Sequence, residues 1–415
     1  MHPYNMSTGR RWLVVIIVSM GSLCVACTSS IYSTTYAQIL EEFHCPQEIA
    51  ALGLSLFIWG LGLGPLILSP LSEGVVYLGS FTFFLIWLIP CAVAKNIQTL
   101  LVARFLDGDT VGDIFPRLQL ATPMMVYTAS PFVGPKLGSL AGGFINQYTN
   151  WRWIFYALIF WAATMLISIY FFVPETYPPV LLKRKAQAVR KVAGNSSPLA
   201  PSEQTSLPLN KMIIRSIYRP IMLLTLEPMC FNLCIYSAIL LGILYLSSAP
   251  WAYFLSLLVG MIFAILSDPY WRSNYSRLER NHQATVTEGE KFCPEWRLPP
   301  VIAGAPLVTA GLFIFTWTVY PNIHWIVSMI GSALFGAGTI LVYSGIFTFL
   351  VDVYSSYAAS ALAANSFVRS KFGGIFPLFG TQMYNRLGLN WASCLLAYIF
   401  YTYGTQIRKK SRFAS

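Results

Sequence analysis

The sequence predicts an all-α, polytopic membrane protein made of two six-helix bundles, and three observations predict it. Only 10% of the 415 residues are charged while 56% are hydrophobic; soluble domains carry about 25% charged residues. The apolar residues come in solid blocks, such as 12–25 and 156–173, and not in the roughly ten-residue alternating segments of a membrane β-barrel. The cations, finally, are distributed by position: 20 of the 27 Lys and Arg fall in alternate loops and in the tails. This composition excludes an ordinary soluble enzyme and a disordered chain.

A helix that crosses the hydrocarbon layer needs roughly 20 apolar residues. In chain order the candidate spans are 13–36, 49–71, 75–94, a short one from Ile97, then 123–145 and 153–173. A polar stretch, 174–219, follows; it carries Lys183-Arg184-Lys185 and turns Ser/Pro-rich from Ser196 to Pro208, the composition of a linker. The second set is 220–246, 251–266, 300–320, 324–350, 357–380 and 391–403. Six plus six spans around a linker suggest a duplicated transporter architecture. The expected organisation is a tail 1–12, a bundle 13–173, a linker 174–219, a bundle 220–403 and a basic tail 404–415.

With the N-terminus in the cytoplasm, the loops on the outer side hold only Lys95, Arg152 and Arg386. That asymmetry puts both termini inside and requires an even number of crossings. The sequons at Asn5, Asn195 and Asn274 then face the cytoplasm and are expected to stay unmodified. The net charge of +11 lies in these loops and tails, so it does not point to nucleic acid. Cys24 and Cys27 have the spacing of a redox or metal pair, but inside a span they read as small buried hydrophobes.

At the fifth span the chain reads Ser130-Pro131-Phe-Val-Gly134-Pro135-Lys136-Leu-Gly138-Ser-Leu-Ala-Gly142-Gly143. Gly134, Gly138 and Gly142 recur every four residues and leave a stripe without side chains, on which another helix can pack closely. Pro131 and Pro135 remove backbone donors and should bend the helix. This Gly-Pro followed by Gly-Gly resembles the antiporter motif of the major facilitator superfamily. With Asn150-Trp-Arg-Trp153 opening span six and Pro174-Glu-Thr-Tyr177 closing it, the chain resembles the twelve-span fungal drug:proton antiporter branch. The resemblance covers nearly the whole chain, including 266–272, 297–309 and 345–369.

The resemblance implies two bundles facing a central cavity that opens alternately to either side. Proton entry would drive export of small organic molecules such as drugs, toxins or secondary metabolites. No cofactor and no nucleic acid is expected; the partners are the bilayer, protons and the substrate. The chain is expected to act as a monomer in the plasma membrane. It holds no Walker loop and no Gly-x-Ser-x-Gly elbow, and His2, His44, His282 and His324 are scattered, so neither an enzyme nor a metal site is expected.

Ionisable groups within spans are costly and mark pathways or coupling sites. Arg104 and Asp107 are three residues apart, on one helical face where they can pair; the pattern resembles the fourth-span arginine motif linked to proton coupling. Glu227 lies two turns into span seven, where burial would make it a protonatable group, or else it is a helix-entry carboxylate. Asp268 and Glu73 are inner-gate candidates. Of Arg369 and Lys371 in span eleven, at least one should face the cavity or pair with a carboxylate, and Lys136 beside the Gly-Pro has no evident role. Tyr32, Asn232, Tyr236, Tyr343, Asn365 and Arg369 are the candidate cavity lining, since such cavities combine aromatics with a few polar groups.

Four places depart from the family pattern. Glu73 lacks the cations that normally follow it, and the outer loop at 247–251 is almost absent. The apolar run 97–106 covers about 15 Å, half the hydrocarbon thickness, before it meets Asp107, Asp109 and Asp113. Span twelve is short as well. Internal deletions therefore open a second reading, a truncated or degenerate member of the superfamily that inserts but does not transport.

Overall fold

The computed structural model describes residues 8–68, 74–109, 121–173, 209–246, 251–285, 294–318, 323–354 and 358–410, and among them there is no strand. The helices of the first half are α1 (Thr8–Ile31), α2 (Tyr36–Phe43), α3 (Gln47–Leu68), α4 (Gly74–Ala92), α5 (Ile97–Asp109), α6 (Ala121–Tyr148) and α7 (Arg152–Phe172). Those of the second are α8 (Leu209–Leu226), α9 (Pro228–Leu246), α10 (Trp251–Leu266), α11 (Asp268–Thr285), α12 (Pro299–Thr318), α13 (Trp325–Val353) and α14 (Ala358–Lys410).

Each half buries its own core. In the first, α1 packs on α6, α3 on α5, and α4 on α5 and α7, around Phe57, Phe81, Phe84, Trp151 and Phe155. In the second, α13 packs on α10 and α12, and α9 on α14, around Tyr343, Ile346, Phe349 and Leu350. The halves meet along α3 with α14 and along α6 with α10. Helix α7 shows the rule that orients these helices. Ile154, Phe155, Leu158, Ala162 and Ile169 recur on one face and are buried, while Trp153, Phe160, Ile167, Tyr170 and Phe171 stay exposed. An outward face that is equally apolar suits lipid, not water.

Among the described residues five segments are each long and apolar enough to cross a bilayer unaided, namely Trp12–Phe43, Gln47–Gly64, Arg152–Phe172, Pro299–Thr318 and Trp325–Val353. The other helices carry charged or polar residues, or are short, and hold their place by packing. The described part of α5 has 13 residues, about 20 Å at helical rise and short of the roughly 30 Å hydrocarbon layer. It runs on through Asp107, which turns into the protein and avoids lipid altogether.

Span seven is not the straight helix expected over 220–246. Its pieces, α8 and α9, are bent by 100° at Glu227. Pro228 causes the bend: it has no amide to donate and disfavours helical geometry in the residue before it. Helix α8 begins at Leu209, within the expected linker, whose remainder lies outside the described residues. The basic segment after span eight also differs from expectation, since it folds as the polar helix α11. Spans eleven and twelve join without a loop at Gly388, whose φ of 74° is open to glycine but strained for other residues. The helix beyond it reaches Lys410, farther than the short apolar run 391–403.

The first span tightens into a 3₁₀ turn at Tyr32–Thr35. Around it Ser29, Ser33, Thr34 and Thr35 each donate a hydroxyl to the carbonyl three residues back, at 2.7 Å. Such back-bonding competes with the helical ladder and bends the chain.

Candidate functional site

Arg104 enters this bend from α5. It is fully buried; Nη1 donates to the Thr28 carbonyl at 2.9 Å and Nη2 to that of Ser29 at 3.3 Å. Its guanidinium carbon lies 4.6 Å from the centroid of Tyr32 and 4.4 Å from that of Phe57. Asp107, one turn on, is equally buried and lies within the electrostatic reach of Arg104. The expected direct pair is corrected: the guanidinium fork goes to the backbone carbonyls of Thr28 and Ser29 in α1. Tyr32, also fully buried, makes an edge-on contact with Tyr36 at 5.5 Å.

The glycine stripe does what its spacing implies. A Cβ on Gly138 would stand 2.6 Å from the Cys27 carbonyl oxygen, and one on Gly142 would stand 2.6 Å from Thr34 Oγ1. The closeness is tied down by polar bonds. Ser30 Oγ donates to the Pro135 carbonyl at 2.6 Å, and the Cys27 thiol to that of Gly134 at 3.1 Å. Gly143, off this line, is half-buried. Cys24 and Cys27 are free and buried. Lys136, without evident role in the sequence, lies on the far side of α6, where Nζ donates to the Leu244 carbonyl of α9 at 3.0 Å and so links the halves.

In the second half, Tyr343 Oη donates to the Ser237 carbonyl at 2.6 Å and Asn365 Nδ2 to Ser237 Oγ at 3.0 Å. Arg369 is buried beside them, 5.8 Å from the Tyr343 centroid and 5.6 Å from that of Phe347. Tyr236 is buried and Asn232 half-buried on the same helix, α9. The structure thus gathers Tyr343, Asn365 and Arg369 around Ser237, and leaves Tyr32 with Arg104 in the other bundle. A cleft of about 310 Å³ between α4 and α5 is lined by Trp87, Pro90, Gln98, Thr99, Val102 and Ala103, and by none of the predicted cavity residues.

Of the two positions open to Glu227 in the sequence, buried in the span or at helix entry, the structure gives the second. Glu227 is exposed at the α8–α9 break, where Tyr354 Oη donates to it at 3.4 Å, because the proline bend takes α8 away from the line of α9. Asp268 heads α11, buried, and accepts from Arg272 Nε at 2.9 Å. Glu73 lies outside the described residues.

Two ion pairs escaped the sequence reading. Glu42 accepts from Arg152 Nη2 and from Trp151 Nε1, both at 2.6 Å, so Asn150-Trp-Arg-Trp153 clasps the end of α2. A cation in that motif implies a nearby carboxylate on the same side, and Glu41 or Glu42 was the available signal. Arg297 Nε lies 2.7 Å from Asp352 Oδ2 at the foot of α13, its guanidinium 3.8 Å from the Tyr275 centroid on α11. Asp352→Asn should therefore lower the melting temperature in detergent by about 2–4 °C. An unchanged melting curve would mean that water screens the pair.

The comparisons with known proteins agree with this architecture. Residues 18–377 match the Major Facilitator Superfamily. The protein named efflux pump atB of Aspergillus terreus is 47% identical over 453 aligned positions, covering 99% of this chain and 87% of that one. The probable drug/proton antiporter YHK8 of Saccharomyces cerevisiae is 36% identical over 456 positions, with coverage of 99% and 87%. Both alignments are longer than the 415 residues of this chain, so these relatives carry internal stretches that it lacks. The partially occluded inward-open xylose transporter XylE from E. coli has the same fold, with a TM-score of 0.61 at 15% identity over 95% of this chain and 98% of that one. The chain belongs to the Major Facilitator Superfamily, in its fungal drug-transporter branch, and is a multi-pass membrane protein rather than an enzyme.

Proposed function

We propose that the chain exports small organic molecules (drugs, toxins or secondary metabolites) in exchange for protons, the two bundles rocking to expose a central site alternately. The observation that carries this reading is Arg104, a fully buried cation bonded to the α1 carbonyls with Asp107 one turn away. A buried ionisable pair in a transporter is costly and marks a coupling site. Protonation of Asp107 would change the field that Arg104 meets, and with it the hold of α5 on the bend in α1. Asp268 and Glu73 belong to the inner gate. The names of the relatives, an efflux pump and a drug/proton antiporter, favour the same reading. The chain acts as a monomer in the plasma membrane with both termini cytoplasmic, and binds no nucleic acid.

A second reading, insertion without transport, is favoured by the short apolar run 97–106 in the sequence and by the alignments that outrun the chain. Expression in a transporter-deficient yeast separates the two. Gradient-dependent efflux of a fluorescent drug, abolished by a protonophore, is expected from the first. Normal membrane insertion with no efflux would sink it and leave the second.

A further inference from the structure

We infer that the transported molecule is an organic anion and that Lys371 receives its negative group; this rests on the export reading above. Lys371 lies midway along the span-eleven arm of α14, where that helix meets α3 of the other half. Its ammonium stands 5.2 Å from the ring centroid of Trp59 on α3 and 5.2 Å from that of Phe367. Trp59 Nε1 in turn donates to the Lys371 carbonyl at 3.4 Å, so the bundles touch at this residue. Lys371, Trp59 and Phe367 are all half-buried, whereas Lys136 and Arg369 are each 5% exposed.

Charge balance points the same way. Through 220–266 and 300–403 the acidic residues are Glu227 and Asp352 alone. Asp352 pairs with Arg297, and Glu227 sits at the α8–α9 break against Tyr354. Among the described residues the ammonium of Lys371 has two ring faces and no carboxylate at ion-pair distance. Ring faces attract a cation but accept no strong hydrogen bond, and an ammonium has three donors to give. A carboxylate or sulfonate on an apolar or aromatic body meets both needs. Its charged end takes the donors of Lys371, and its body lies against Trp59 and Phe367. A cationic molecule would meet repulsion at the same point.

The full-length chain in lipid nanodiscs tests this by equilibrium binding of naphthalene-2-carboxylate, its neutral carboxamide and tetraphenylphosphonium. The carboxylate should bind in preference to the other two. Lys371→Gln should weaken carboxylate binding at least about tenfold and leave carboxamide binding as it was. If Lys371→Gln does not fold, Lys371→Arg decides, since it keeps the charge. It should hold the carboxylate within a few-fold of the parent and discriminate against the phosphonium. Absence of carboxylate binding, equal binding of both ions, or a Lys371→Gln protein that binds the carboxylate like the parent overturns the assignment. Binding is read without a proton gradient, so a failure of export removes the export reading but leaves the anion site at Lys371 standing. Gradient-driven efflux of the cation alone would uphold export and overturn the anion.

Discussion

Arg104→Ala should abolish gradient-driven efflux, lowering the initial rate at least about a hundredfold while the protein still reaches the membrane. Arginine holds both the Thr28 and Ser29 carbonyls with one planar fork, and stacks between Tyr32 and Phe57. Alanine gives up all four contacts and the charge whose field acts on Asp107. Hydrogen bonds from a charged group to buried acceptors are worth about 1.5–3 kcal/mol each, so the two together account for the predicted rate loss. The substitution Arg104→Lys should not restore transport, because a compact ammonium cannot span two carbonyls in fixed geometry. Efflux and surface expression measured on the same cells check the result; unchanged efflux in Arg104→Ala would refute its coupling role.

Gly138→Leu should prevent a stable fold. Even its Cβ would stand 2.6 Å from the Cys27 carbonyl oxygen and 2.7 Å from Ser30 Oγ, so α1 and α6 must separate. Separation breaks the bonds from Ser30 to Pro135 and from Cys27 to Gly134, which hold the two helices at close range. Overpacking of this kind costs about 1–3 kcal/mol, and each lost buried bond adds to it. Gly79→Leu is the control, since a Cβ there meets nothing within 4 Å. Fluorescence-detected gel filtration of the two variants should show a monodisperse peak for the control alone. Matching profiles would mean that the helices adjust without cost.

The glycine stripe was legible in the sequence because close approach demands the absence of a side chain, and an absence repeated every four residues is visible. Arg104 was legible because a charge inside an apolar run stands out. Its partners were not. Thr28 and Ser29 bond it through carbonyls that every residue possesses, and backbone groups carry no sequence signal. Lys136 stayed without a role for the same reason, as its partner is the carbonyl of Leu244. Glu227 was left between a buried and a helix-entry position, and Pro228, the cause of the bend, was the signal in plain view for the exposed one. The meeting of Trp59 with Lys371 joins residues 312 positions apart and leaves no local trace.

Composition, block length and cation placement thus determined by themselves that this is a helical membrane protein of two bundles. Lipid imposes one requirement on every span, an apolar surface with its backbone bonds satisfied internally, and that requirement is written residue by residue. Tertiary structure alone decided which buried charges meet which carbonyls and rings, and that Lys371 faces aromatic rings on both sides of the junction. The pairings across the junction, Lys136 with Leu244 and Lys371 with Trp59, depend on how the two bundles dock, and docking is settled by shape across hundreds of residues rather than by any local pattern.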